Sequence, residues 1–165
     1  MRYALVPLLM CCLAWAPAPA VANELQLVGA ARLKVLFWPV YDSRLYAVDG
    51  RYQPGELPLR LEIEYLRDIP AAQLVSRTAE EWQSIGLQHP QQQDWLQQLE
   101  SLWPDIARND VLVMEVNEGS SRFYHNGRAL GAVDDADFGE HFLAIWLSPK
   151  TSRPALRAQL LGAAD

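Results

Sequence analysis

Three short runs place arginine beside tyrosine in patterns that could hold an acidic ligand. They are Tyr41-Asp42-Ser43-Arg44-Leu45-Tyr46, Tyr65 with Arg67, and Arg122-Phe123-Tyr124. Side chains alternate between the two faces of a strand, so Arg44 shares a face with Tyr46, and Arg122 with Tyr124. On a face turned into a covered space, the guanidinium groups would grip a carboxylate or phenolate, and tyrosine hydroxyls would orient it. On a wet face the same arginines would close structural ion pairs, with Asp42 and Asp68 as nearby partners, since arginine is rarely buried unless paired. Both arrangements satisfy the sequence. The candidate ligand-binding residues are Arg44, Tyr46, Arg122, Tyr124 and Tyr41.

Other chemistry finds less support. His89, His141 and His125 fall in three different elements without a metal-ligand spacing, so no metal site is expected. The serine-nucleophile patterns G-x-S-x-G and S-x-x-K do not occur. Glu62 and Glu64 read as one solvated strand face, and Asp134 and Asp135 as a helix start. Nothing marks a perturbed acid in a cleft, as general acid–base catalysis requires. No catalytic residue and no cofactor are expected.

The first 22 residues read as an export signal. Arg2 supplies a positive start, Ala4 to Leu13 is uncharged and apolar, and Ala20-Val21-Ala22 is a small-x-small cleavage pattern. The apolar run is too short for a membrane span. Met10 and Cys11 stand where a lipoprotein signal wants a small residue, which argues against lipidation at Cys11 or Cys12. Cleavage near Ala22 would leave 143 residues, 13 basic and 20 acidic, with a net charge of −7 and no cysteine. The expected product is one periplasmic or secreted domain, residues 23–165, held by packing without a disulfide. Its charge argues against nucleic-acid binding and disfavours adhesion to anionic lipid.

The elements that must position these residues follow from periodicity. Leu25 to Val48 reads as two strands, with Pro39 at a bulge or junction. Leu59 to Tyr65 alternates strictly, so one sheet face is covered and one wet, which favours antiparallel pairing. Pro70 opens a helix through Leu74, Thr78, Trp82 and Ile85, ended by Gly86. A second helix carries Trp95, Leu99, Leu102 and Trp103 to a stop at Pro104. Val111 to Val116 and Arg122 to His125 are strands. Asn126-Gly127 is a strong hairpin signal, returning Ala129 to Val133. Asp134, Asp135 and Asp137 suit the start of a helix with Phe138, Phe142, Ile145 and Trp146 on one stripe. A last helix runs from Pro154 to Gly162. The order predicts an α+β fold, an antiparallel β-sheet covered on one face by a layer of α-helices.

In several stretches, in order, the chain resembles the chalcone isomerase-like family, in a bacterial exported branch. They are Val28 to Leu33, Val40 to Tyr46, Leu61 to Arg67, Trp103-Pro104-Asp105, Arg122 to Gly127 and Phe138 to Leu147. The resemblance implies an open-faced sandwich with a ligand cleft between sheet and helices. True chalcone isomerases use an arginine just before the Leu33-to-Tyr41 segment and a threonine near its end. Here Gly29 or a neighbouring alanine holds the first place and Tyr41 the second, so the resemblance implies a member without that catalytic constellation. Other members bind fatty acids through an arginine and a tyrosine. Arg44, Tyr46, Arg122 and Tyr124 are chemically apt for that role.

The expected function is non-enzymatic binding of a small amphipathic or carboxylate ligand such as a fatty acid. An envelope protein–protein interaction module is the alternative from another class, and an isomerase or lyase acting on phenolic compounds is a third.

Overall fold

The computed structural model describes residues 24–163, so the expected export signal lies outside the described residues. Six strands form one sheet in chain order: β1 (Leu25–Val35), β2 (Trp38–Val48), β3 (Leu59–Tyr65), β4 (Val111–Asn117), β5 (Ser120–His125) and β6 (Arg128–Val133). Every neighbouring pair is antiparallel. Helices α1 (Ala71–Ser84) and α2 (Gln92–Leu102) are inserted between β3 and β4, and α3 (Ala136–Leu147) and α4 (Pro154–Leu160) follow β6.

The alternation in β3 decides which face is covered. Leu59, Leu61, Ile63 and Tyr65 are buried, while Arg60, Glu62 and Glu64 between them are half-buried. Ser43, Leu45 and Ala47 of β2, Leu112, Met114 and Val116 of β4, and Ser121 and Phe123 of β5 join the same inner face. The helices cover that face because their apolar stripes have no other way to leave water.

Helix α3 is the most buried, with Phe138, His141, Phe142, Leu143, Ile145, Trp146 and Leu147 all inside. A Cβ on its Gly139 would run into Val116 of β4, so glycine sets how closely this helix lies on the sheet. Asp135 caps the helix as its sequence suggests. Its carboxylate accepts from the Asp137 amide at 2.9 Å and from Trp95 Nε1 at 3.2 Å, tying α2 to α3. Pro70 stands at the N-cap of α1, one position earlier than the first helical turn, and Trp103 caps the end of α2.

Proline 39 does mark an irregularity. Leu33 pairs with Tyr41 but Lys34 with Pro39, leaving Val40 as an extra residue in β2. Val40 and Tyr41 both reach the covered side near this bulge. Beyond it, β1 and β2 continue to an exposed hairpin tip.

Candidate ligand cavity

A cavity of about 400 Å³ lies between the inner face of the sheet and the helices. That is within the range of small-ligand sites. Leu61, Ile63, Leu112, Met114 and Phe123 form its sheet wall, and Phe142, Ile145, Trp146, Leu74 and Leu156 its helical wall. Strands β1 and β2 close one side with Leu33, Val35, Val40 and Tyr41, and the Trp103 ring lies against Phe123 and Phe142. Most of this surface is apolar, which suits a hydrocarbon chain and gives water few partners.

The polar groups gather around the ends of β2 and β3 and the start of α1. The Tyr41 hydroxyl accepts a hydrogen bond from Trp146 Nε1 at 2.9 Å. Tyr65 stands edge-on to Tyr41, ring centroids 6.0 Å apart, and brings a second phenol to the cavity. Burial pushes the Tyr41 hydroxyl up to about 12, and burial raises that of Tyr65 as well. Both phenols are therefore neutral donors at physiological pH. Neither proton has an acceptor among the described residues, so both are free to meet a ligand oxygen.

Arg67, Arg77 and Arg153 also line the cavity, all with solvent contact, which puts them at its mouth. Arg77 is engaged: its guanidinium lies 2.8 Å from Glu80 and 3.1 Å from Glu81. Glu81 also accepts from Ser152 at 2.8 Å, linking α1 to the loop before α4. Among the described residues, Arg67 and Arg153 have no ion-pair partner. The arrangement can hold an anion at the mouth with its apolar remainder inside.

Of the residues singled out in the sequence, Tyr41 lines this cavity, and so do Tyr65 and Arg67 of the second run. Arg44, Tyr46, Arg122 and Tyr124 do not. They share faces in pairs as the strand period requires, but that face is the open one. Leu45 and Phe123, each fully buried, claim the inner face, and their neighbours must point the other way. There Arg44 pairs with Glu62 at 3.0 Å, Arg32 holds Asp42 at 2.6 Å, and Arg60 bridges Glu62 and Glu115 and lies over the Tyr46 ring. Arg122 sits opposite Glu115, and Tyr124 opposite Val113. The charges of four strands thus form a cross-strand ladder on the wet face.

Arg77 and Arg153 had no mark in the sequence beyond their type. The one usable signal was Arg153 directly before Pro154, at a helix start. The structure also joins two histidines that the sequence separates. His89 and His141 have ring centroids 5.8 Å apart within a Trp82–Trp95 cluster, and His89 stacks on Trp95. Gln92 Nε2 donates to His141 Nε2 at 2.6 Å, and burial, then His89, lowers the His141 pKa. Among the described residues no group of three or more His, Cys, Asp or Glu side chains could hold a metal ion.

Comparison with known proteins agrees with this architecture. The family model described as chalcone isomerase-like matches residues 16–162. A protein of Haemophilus influenzae, described only as uncharacterized, is 31% identical over 123 residues. The match spans 74% of this chain and 61% of that protein, so less than two thirds of the relative's length is covered. The crystal structure of an Arabidopsis thaliana fatty-acid binding protein superposes with a TM-score of 0.63 at 14% identity, covering 87% of this chain and 90% of that one. At that identity the likeness speaks for the fold. The chain belongs to the chalcone isomerase-like family.

Proposed function

We propose that this protein is an exported, non-enzymatic carrier or sensor of a small amphipathic carboxylate, of the fatty-acid class. The observation that carries this reading is one cavity with two distinct ends. Its body is walled by apolar side chains, and its mouth holds Arg67 and Arg153, without ion-pair partners among the described residues, and Tyr41, whose hydroxyl proton has no acceptor among them. A carboxylate at the mouth would accept from those donors while its chain displaced the cavity's contents. The Arabidopsis neighbour, a fatty-acid binding protein of the same fold, supports the ligand class. Export rests on the signal-like residues 1–22.

Gly29 supports a binding role over isomerase chemistry. A Cβ there would run into the backbone carbonyls of Gln159 and Leu160 in α4. Where the resemblance puts the isomerase arginine at Gly29, rather than at a neighbouring alanine, there is therefore no room for a side chain.

The test is direct. Native mass spectrometry of protein purified from its own host, followed by lipid extraction, should find a co-purifying acid. Adding a long-chain fatty acid to delipidated protein should change tryptophan emission, because Trp103 and Trp146 line the cavity. Protein that carries no lipid and shows unchanged emission on titration would defeat the reading.

A further inference from the structure

The β1–β2 hairpin ends in four consecutive apolar residues that the fold leaves in water. Val35 is 45% exposed, Leu36 86%, Phe37 92% and Trp38 73%. Val35 pairs with Trp38, so Leu36 and Phe37 are the turn itself. Two-residue hairpin turns favour asparagine, aspartate and glycine because they need positive φ. Leu36 sits at φ 57°, a region that a bulky side chain enters only with strain. Asp49-Gly50 and Asn126-Gly127 show that this chain uses the expected residues in its other turns. Neither turn chemistry nor packing accounts for leucine and phenylalanine at the tip. An apolar run displayed in this way is a folding liability unless it meets an apolar partner outside the chain.

Three features identify the partner as a lipid bilayer. The tip is a two-residue turn whose side chains, Leu36 and Phe37, are 86% and 92% exposed. It lacks the ring of surrounding contacts that keeps water from a protein hot spot, whereas fluid acyl chains close around any shape. Its residues are also graded by depth. Leu36 and Phe37 form the apex, Trp38 lies behind them, and exposed Lys34 stands further back, as in proteins anchored at a membrane interface. Finally, Leu33, Val35 and Val40, on the same two strands, line the cavity. A docked tip would bring the mouth to the lipid surface.

We propose that Val35–Trp38 is a membrane-docking element, with Leu36 and Phe37 entering the acyl region and Trp38 held at headgroup depth. The attachment is peripheral, since no helix among the described residues is long and apolar enough to cross a membrane. It is also apolar in origin. The chain's net negative charge offers no attraction to anionic lipid, so neutral phosphatidylcholine is a sufficient target.

Phosphatidylcholine vesicles free of fatty acid test docking separately from ligand binding, so failure here would leave the cavity reading standing. The protein is expected to co-sediment with them. Trp38 emission should shift to the blue and be quenched by lipids brominated in the acyl chain. In protein cleaved near Ala22, which lacks Trp15, the other tryptophans Trp82, Trp95, Trp103 and Trp146 are buried, so Trp38→Phe should abolish that quenching. Leu36→Asn with Phe37→Ser should weaken partitioning by roughly tenfold or more, given what each apolar side chain gains on leaving water. Asparagine tolerates the Leu36 backbone, so the unfolding midpoint of this variant should be unchanged or higher. Wild-type protein that stays in the supernatant, or a variant that binds vesicles as well as wild type, would overturn the proposal. So would a concentration-dependent dimer that the same substitutions abolish and vesicles do not affect, because the tip would then serve a second copy of the chain.

Discussion

The indole of Trp146 on α3 donates to the hydroxyl of Tyr41 on β2 at 2.9 Å, joining the two walls of the cavity across 105 positions of sequence. The bond uses the acceptor side of the phenol and leaves its proton for a ligand. Tyr41→Phe should therefore act twice. It strands the Trp146 N–H, a loss of about 1–2 kcal/mol for a partly buried neutral donor. It also removes a ligand donor. Urea unfolding should show a lower midpoint with an unchanged slope, and fatty-acid affinity should fall with it.

The Tyr41 phenol also makes a pH prediction. Burial raises its pKa from the ordinary 10 to about 12, so folding disfavours the phenolate. Tyr41's contribution to stability is then fully present below pH 10 and is lost as pH rises toward 12. Tyr65, shifted the same way, adds to the effect. Spectrophotometric titration should show the Tyr41 signal ionising late, in a step that Tyr41→Phe removes.

At the mouth, Arg67→Gln and Arg153→Gln should each weaken binding of a long-chain fatty acid by roughly tenfold, the scale of one charged hydrogen bond. The methyl ester of the same acid should bind wild type and variants alike. Calorimetric titration of acid and ester separates this result from general damage. Equal acid affinity in all three proteins would show that the arginines do not hold the carboxylate.

The open face should be silent in the same assay. Arg44→Ala with Arg122→Ala breaks the Arg44–Glu62 pair, removes the cation opposite Glu115 and touches no cavity wall. Fatty-acid affinity should not change. Stability should fall by less than about 1 kcal/mol per exposed pair, and less still in high salt.

These contrasts show what the sequence could encode. The alternation of β3, the Asn126-Gly127 turn and the Asp135 cap are local signals, and each marks its element correctly. Pairing Arg44 with Tyr46 and Arg122 with Tyr124 was equally sound, because strand parity is local. Which face turns inward is decided by the sheet as a whole. Leu45 and Phe123 compete for it with their neighbours and win through burial. Arg153 reaches the mouth only because α4 folds back over β1, and no spacing within residues 150–162 says where that helix will lie.

The position of α4 depends on a glycine, which gives the last prediction. The backbone carbonyls of Gln159 and Leu160 lie so close to Gly29 that a Cβ could not fit without lifting the helix. Backbone cannot swing aside as a flexible side chain would, so Gly29→Ala should destabilise the fold by about 1–3 kcal/mol. α4 is also anchored at its other side, where Arg157 Nε donates to the Leu147 carbonyl at 2.7 Å. Lifting it would displace Leu156 from the cavity wall and Arg153 from the mouth. Gly29→Ala should thus lower fatty-acid affinity although Gly29 does not line the cavity. A variant that loses stability and keeps full affinity would show that the mouth does not depend on how α4 seats on β1.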